Sequence, residues 1–589
     1  MPDEHATVPV LIVGGGPGGL TASLLLSRLG IDSLLVERRE GTSDLPKAHI
    51  LNQRTMEIFD VCGVADEVYE NGSPIEFMSR VAWYTSLTGP TDLHGRELAR
   101  STSWGGGGDA PAYAQASRFR TTNLPQLHLE PILLHHAQTL APGRLRFGHE
   151  VVGLEQDATG VTVSIEERAT GERYDVRASF VIGADGGRTV GAAIGAVLDG
   201  QRDLVKMVST HIKADLSTLN PDPAVCIYWF VNPDSHGSIG SGVLVKMGGR
   251  GWGRHSDEWV FGFATTPNDP QQFDSEYIID RVRRAVGAPD LEIETHRVSP
   301  WRVEALVADR FGEGRVFLVG DAAHRHPPTG GLGLNAAVQD AHNLTWKLAA
   351  VLNGHADQRL LETYETERRP VAQQIVAQSL SSFFQHAEID QALGLDPEDA
   401  EVGWAAVREL FSDSASGAEK RAQVDAAAAR KRLEFRAHNL EIGYRYEAGA
   451  LVPESAPPED GDPGTFHPSA QPGARMPHAW VGARAHRQST YDLVEPGHFT
   501  LFVGGDGAAW QGAAERLRGE RGIPLDVIVI SDPESTWQRQ SAVRDDGAVL
   551  VRPDHHVAWR SARGVPDPGA ALREVFDLVL PVGGTVAAA

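Results

Sequence analysis

The stretch Val8–Glu37 reads VPVLIVGGGPGGLTASLLLSRLGIDSLLVE, and its texture changes three times. Val8–Val13 is an apolar, β-branched run suited to a fully buried strand. The turn Gly14-Gly15-Gly16-Pro17-Gly18-Gly19 follows, Leu20–Leu29 then has helical spacing, and Ser33–Val36 returns to a strand that ends at Glu37. In the pattern Gly14-x-Gly16-x-x-Gly19, the first glycine permits a tight turn, and the second lets the backbone approach a pyrophosphate. The third lets helix and strand pack closely. The helix N-terminus that follows the turn, with its Pro17 and Gly18, offers free N–H groups and partial positive charge to phosphates. Glu37 lies about twenty residues beyond the last glycine, where a carboxylate can accept hydrogen bonds from ribose hydroxyls. A glycine turn of mere convenience would not need that acid. Strand, turn, helix and acid in one register predict a dinucleotide-binding fold.

Working outward, 589 residues suffice for about three or four domains. A formal net charge of −24 repels polyanions, so no nucleic-acid or anionic-membrane partner is expected. Cys62 and Cys226 are the only cysteines, which excludes a disulfide framework and a thiolate zinc centre, and no metal site is expected. No apolar stretch is long enough to span a bilayer, and the N-terminus lacks a basic leader, so a cytoplasmic location is expected.

Two further glycine-containing motifs follow strand-like runs. Val319-Gly320-Asp321-Ala322-Ala323-His324 comes after the apolar Arg315–Val319, and Pro327-Pro328-x-Gly330-Gly331-x-Gly333-Leu334-Asn335 opens a helix reading Asn335–Leu352. Gly183-Ala184-Asp185-Gly186-Gly187-Arg188-Thr189 follows Phe180–Ile182. Alone, Asp185-Gly186 is a plain β-turn.

Together these motifs resemble the class A single-component FAD-dependent aromatic hydroxylases. The resemblance implies that Gly320 and Asp321 bind the ribityl chain and that the helix after Gly331 and Gly333, with Leu334 and Asn335, points at the flavin ring. Pro328 belongs to the same loop. Asp340, Asn343, Trp346 and Lys347 match the family's continuation, though Asp340 and Asn343 read equally well as ordinary polar helix residues. Asp185 matches a fingerprint associated with FAD and nicotinamide; the family's further arginine is missing after Thr189. Pro46-Lys47-Ala48-His49 through Ile58 resembles the phenol hydroxylase and dichlorophenol hydroxylase branch, with Lys47 where arginine is usual. Gln126 and Arg38 match flavin-contacting positions, and Tyr444-Arg445-Tyr446 fits too.

The implied fold is α/β: a Rossmann-type FAD-binding domain (1–75, 115–190 and 300–395) with an inserted, mainly antiparallel sheet for substrate (76–114 and 191–299). Strand candidates Ala224–Val231, Ser241–Met247 and Glu258–Ala264 lie in that insert, whereas 72–120 reads as irregular, with a flexible loop at Gly105–Gly108. Residues 396–450 read as helical and 451–477 as a linker. Residues 478–589 resemble a thioredoxin-like domain, with strands at Phe499–Val503, Leu525–Ile530 and Ala548–Arg552. That domain has no cysteine, which excludes thiol exchange. It is read as an appended module whose removal before about Arg475 spares FAD binding. Asp554-His555-His556 is read as a turn in preference to a metal site.

The implied reaction hydroxylates a phenolic or related small aromatic with O2 and NADPH or NADH, through a flavin C4a-hydroperoxide on tight, non-covalent FAD. The nicotinamide would visit transiently, since no second complete dinucleotide motif exists. His49 is the candidate catalytic base, an imidazole whose ordinary pKa of about 6.5 suits it to take a phenolic proton; the alternative is that it only packs near FAD. A homo-oligomer is expected. Competing readings are an FAD-dependent halogenase or dehydrogenase on the same fold, and a non-catalytic flavin-binding scaffold.

Overall fold

A computed structural model describes residues 7–141, 143–235, 237–265, 272–396, 399–454, 462–482, 487–532 and 534–583. Strand Thr7–Val13 (β1) runs through the middle of a parallel sheet. Its Val10, Leu11 and Ile12 have no exposed surface, as a strand covered on both faces requires. Ser33–Glu37 (β2) pairs with it on one side and Arg173–Gly183 on the other, both parallel. Val316–Leu318 extends the sheet beyond Arg173–Gly183, and Leu145–Phe147 extends it beyond β2. Helix Pro17–Arg28 (α1) lies between β1 and β2 in sequence and packs against helix Gly333–Leu352. It starts at Pro17, earlier than the apolar spacing at Leu20 predicts, because extended Gly16 caps it and proline is pre-set for the first helical position.

The second sheet has eight strands in the order His324–Arg325, Glu294–Ala308, Leu198–Lys213, Glu258–Ala264, Val243–Gly248, Val225–Phe230, Arg80–Tyr84, Glu97–Thr102. All its pairs are antiparallel except Val225–Phe230 with Arg80–Tyr84. Residues 72–120 are therefore not irregular. They supply two strands and helix Ala110–Ala116, and the expected flexible loop at Gly105–Gly108 abuts Trp104, buried edge-on against Phe435. One face of this sheet, with Val208, Ile212, Tyr228, Leu244 and Trp259, is covered by helix Ser275–Val286. The other, with Trp83, Ile227, Val245 and Met247, packs with Ile50 and the helical region that follows residue 387.

The C-terminal sheet has the order Leu525–Val529, Phe499–Val503, Ala548–Val551, Val557–Ser561, with the first pair parallel and the others antiparallel. Helices Ala508–Arg521 and Pro568–Val579 cover it. Of the expected linker 451–477, residues 455–461 lie outside the described residues. The rest does not behave as a linker: Ala470, Arg475 and Met476 are buried, and the Arg475 guanidinium is ion-paired with Glu57. Among the described residues, no helix is long and apolar enough to cross a membrane.

Candidate functional site

The strands β1, β2 and Arg173–Gly183 all end at one edge of the parallel sheet, and a cleft of about 420 Å³ opens there. Gly14, Gly16, Pro17, Gly18, Glu37, Arg38, Lys47, Gln126, Asp185, Gly320, Asp321, Gly333 and Leu334 all line it. A Cβ on Gly14 (φ +113°) would meet the Ala184 carbonyl oxygen at 2.3 Å, so the turn can only be glycine. At Gly16 a Cβ would meet no atom within 4 Å, so this position presents bare backbone to the cleft. Gly19 does not line the cleft; a Cβ there would strike the Gly14 carbonyl oxygen, so its role is the close helix–strand approach.

Glu37 closes the turn from the next strand. Its carboxylate accepts from the Gly15 N–H at 2.7 Å and the Arg39 N–H at 2.9 Å, which leaves further lone pairs for a ligand. Asp185 is occupied locally. It accepts from the N–H groups of Gly187 (3.0 Å), Thr189 (2.7 Å) and Val190 (3.1 Å), shaping the turn and the start of the next short helix. Asp321 behaves differently: its side chain is exposed to the cleft, and among the described residues its carboxylate accepts no hydrogen bond.

The turn that presents Asp321 is held from below by Asp340. That buried carboxylate accepts from Gly320 N–H at 3.0 Å, from His324 Nε2 at 2.8 Å and from Arg368 Nε at 2.7 Å. Burial alone would raise its pKa, but Arg368 and His324 outweigh burial and hold it at about 2. Asp340 is thus an anchor of the turn, and the reading of an ordinary helix residue falls away. Asn335 lies just inside the helix start and outside the cleft lining. Its amide accepts from Asn52 N–H (2.9 Å) and donates to the carbonyls of Ile50 (2.9 Å) and Gly331 (2.7 Å). Both N–H groups of that side chain are committed to tying two segments together. Pro328 and Gly331 also stand outside the lining, where Gly331 (φ +64°) turns the chain beside Ile50.

Lys47 sits at φ 44°, strained for a residue with a side chain, and burial followed by repulsion from Arg39 lowers its pKa. The segment is braced by Gln126, whose backbone N–H donates to the carbonyls of Pro46 and Ala48. The Gln126 side chain donates to Glu130, which accepts from Ser43 N–H. His49 lies two residues beyond Lys47 and does not line the cleft. Its Nδ1 is 3.2 Å from Asn123 Oδ1, and Asn123 in turn donates its Nδ2 to the Lys246 carbonyl of the antiparallel sheet. That orientation of the amide makes His49 Nδ1 the donor and leaves Nε2 with the lone pair. Burial lowers the His49 pKa to about 4, so the base near 6.5 expected from sequence is corrected: this imidazole is neutral and weakly basic.

Sequence reasoning gave no role to Ser43, Glu130 and Arg188, which line the cleft, and did not join His324 and Asp340 with Arg368 into one buried set. No local motif marks Arg368, because its partner is 28 residues away and becomes visible only when two helices pack. Asp554 is the centre of a buried turn and accepts from Arg552 at both carboxylate oxygens.

The cleft has a glycine turn open at Gly16, an acid at the end of the next strand, a free carboxylate at Asp321 and two helix N-termini. These fit a two-part anionic ligand, with a pyrophosphate at the first helix and a second moiety along Asp321 toward Gly333. Comparison with known proteins agrees. A family model described as FAD binding domain matches residues 7–379, and one described as aromatic-ring hydroxylase, C-terminal, matches 469–580. The 2,4-dichlorophenol 6-monooxygenase of Delftia acidovorans is 36% identical, with 98% of this chain and 100% of the relative covered. The phenol 2-monooxygenase of Pseudomonas sp. (strain EST1001) is 37% identical, covering 96% and 92%. The flavin-dependent monooxygenase PieE, solved in complex with FAD and substrate, superposes with a TM-score of 0.90 at 41% identity, covering 98% of this chain and 100% of that one. The chain belongs to the FAD-dependent aromatic-ring hydroxylases, a family of flavin monooxygenases.

Proposed function

We propose that this flavin monooxygenase hydroxylates a phenolic ring, taking electrons from NADPH or NADH. The observation that supports the flavin's position is the single cleft shared by the glycine turn, Glu37, Asp321 and the start of helix Gly333–Leu352. In this reading Gly14, Gly16, Pro17 and Gly18 face the pyrophosphate, while Glu37 and Arg38 face the adenosine ribose. Asp185 shapes the adjoining turn, Gly320 and Asp321 meet the ribityl chain, and Lys47 and Gln126 flank it. The N–H groups at Gly333 and Leu334 face the pyrimidine end of the flavin, where a helix N-terminus favours negative charge. Gly19, Pro328, Gly331 and Asn335 hold the geometry.

FAD, when bound, supplies the activation of O2 and the transfer of one oxygen atom to the ring. The protein's own task is to hold the ring, keep water out and manage the phenolic proton. The aromatic ring would lie where the segment Lys47–Ile50 meets the antiparallel sheet, since Ile50 packs in the same core as Trp83, Val245 and Met247. Only about 0.1% of a phenol with pKa near 10 is ionised at pH 7, so a group that draws on the O–H raises the ring's electron density. In this reading His49 Nε2 is that acceptor. With a pKa of about 4 it takes a hydrogen bond without retaining the proton.

The reading extends to a cytoplasmic homo-oligomer, which light scattering on the purified protein tests. For the reaction itself, FAD-loaded protein is mixed with NADPH or NADH and a panel of phenols, and product mass is read. A mass gain of one oxygen coupled to nicotinamide oxidation is expected. Nicotinamide oxidation that no phenol stimulates would contradict the reading.

A further inference from the structure

Two helices begin near the flavin cleft, Gln53–Cys62 and Gly333–Leu352, and both are gripped further along by buried charges of the C-terminal region. On helix Gln53–Cys62, Glu57 is ion-paired with Arg475, whose Nε lies 3.0 Å from it, and Arg54 donates to the Asp554 carbonyl at 2.6 Å. On helix Gly333–Leu352, Lys347 and Asn343 share Glu367 with Arg552. The distances to Glu367 are 2.8 Å from Lys347 Nζ, 2.6 Å from Asn343 Nδ2 and 2.8–2.9 Å from the two Arg552 nitrogens. Arg54, Glu57, Glu367, Arg475, Arg552 and Asp554 are all at most 2% exposed. The front ends of the two helices are joined by Asn335, which binds both Asn52 N–H and the Ile50 carbonyl. Residue 367 is followed by Arg368, the partner of the Asp340 that holds Gly320.

We propose that the C-terminal domain is a working part of the flavin site, and that Arg475 and Arg552 are positioning residues that set the two helix starts against FAD. The physical argument is stiffness. Breaking one of these buried ion pairs would leave a charge uncompensated away from water, so the pairs favour one arrangement and hold the helices they bind. Each arginine makes a two-pronged grip that a lysine cannot reproduce. On this proposal the C-terminal domain is not the appended, dispensable module that the sequence suggests. This inference rests on the flavin cleft assigned above.

Coupling of this kind is reciprocal: if the C-terminal grip tightens FAD binding, FAD must tighten the grip. The first test uses the unmodified full-length protein, with FAD removed and restored, and reads amide hydrogen exchange. FAD is expected to slow exchange in 548–557 and around Arg475 as well as in the cleft; protection confined to the cleft would overturn the proposal. Absence of protection at the glycine turn would instead discard the cleft assignment, which separates the two failures. The second test compares Arg475→Lys and Arg552→Lys with Val549→Ala, a core truncation in the same domain that leaves both arginines. FAD dissociation constants are measured well below each variant's melting temperature. The lysine variants are expected to bind FAD on the order of tenfold more weakly and to shift the bound-flavin absorption, while Val549→Ala does neither. Unchanged affinity in both lysine variants, or an equal loss in Val549→Ala, would overturn it.

Discussion

Glu367 and Arg368 are neighbours on one helix, yet their side chains reach toward different parts of the molecule. Glu367 takes both nitrogens of Arg552 from the C-terminal domain, at 2.8 and 2.9 Å. Arg368 takes Asp340 at 2.7 Å, and Asp340 holds the Gly320 N–H at the flavin cleft. Two consecutive residues thus connect the C-terminal sheet with the turn that presents Asp321. The cleft is built on packed helices, and its loops inherit their positions from buried charge.

Gly16→Val is expected to abolish FAD loading. The site of the new side chain is empty in the protein, so the fold should survive while the pyrophosphate's approach is blocked. Purified variant that is folded by circular dichroism yet colourless is the expected result, and full flavin occupancy would show the turn is misassigned.

Asp321→Ala and Asp340→Asn should fail differently. The first removes a free carboxylate, so FAD binding should weaken by about 1.5–3 kcal/mol with little change in melting temperature of the apoprotein. The second strips the charged partner from buried Arg368 and His324, and should cost stability itself, on the order of 3–5 kcal/mol. Calorimetry of the two apoproteins beside FAD titration distinguishes them; equal melting temperatures would contradict the anchor role of Asp340.

Acid should loosen the C-terminal grip before it protonates the carboxylates. His555 and His556 are held neutral by burial, with pKa values of about 3, and His342 is pushed well below its usual value. Between about 6.5 and 3 the unfolded chain therefore binds more protons than the folded one, and stability rises with pH across that window. Glu57 and Glu367, held at about 2 by their cations against burial, act in the same direction: their stabilisation is present above 4.5 and lost as pH falls toward 2. The melting temperature should fall steadily as pH drops below about 6.5. A melting temperature unchanged from pH 7 to pH 5 would contradict this.

His49→Ala should keep FAD but divert reduced flavin toward hydrogen peroxide. The loss of coupling should be largest for weakly acidic phenols and small for phenols already ionised at the assay pH, because only the former need an acceptor for the O–H. Peroxide yield measured across a series of phenols checks this, and equal coupling throughout would remove His49 from the chemistry.

Much of this was legible in the sequence because the relevant signals are local. The strand, glycine turn and Glu37 lie within one stretch. The long strand Leu198–Lys213 was not seen, since its first half is largely exposed and charged and earns its place only by pairing with Glu294–Ala308. Residues 72–120 misled for a related reason: strands Arg80–Tyr84 and Glu97–Thr102 are short and are fixed by the sheet they join. The Pro-rich composition of 451–477 suggested a linker, but Arg475 belongs to a buried ion pair whose partner, Glu57, is 418 residues away. Partners outside the local motif likewise hid the anchor roles of Asn335, tied to Ile50 285 residues away, and of Asp340, tied to Arg368 28 residues away on another helix.

The central claim is that the flavin held in this cleft delivers one atom of O2 to a phenolic ring. FAD-loaded protein is supplied with NADPH or NADH and a turned-over phenol under ¹⁸O₂, and the product is weighed. The account predicts a hydroxylated product carrying one ¹⁸O atom, formed in step with nicotinamide oxidation. A product whose new oxygen comes from unlabelled water would contradict it.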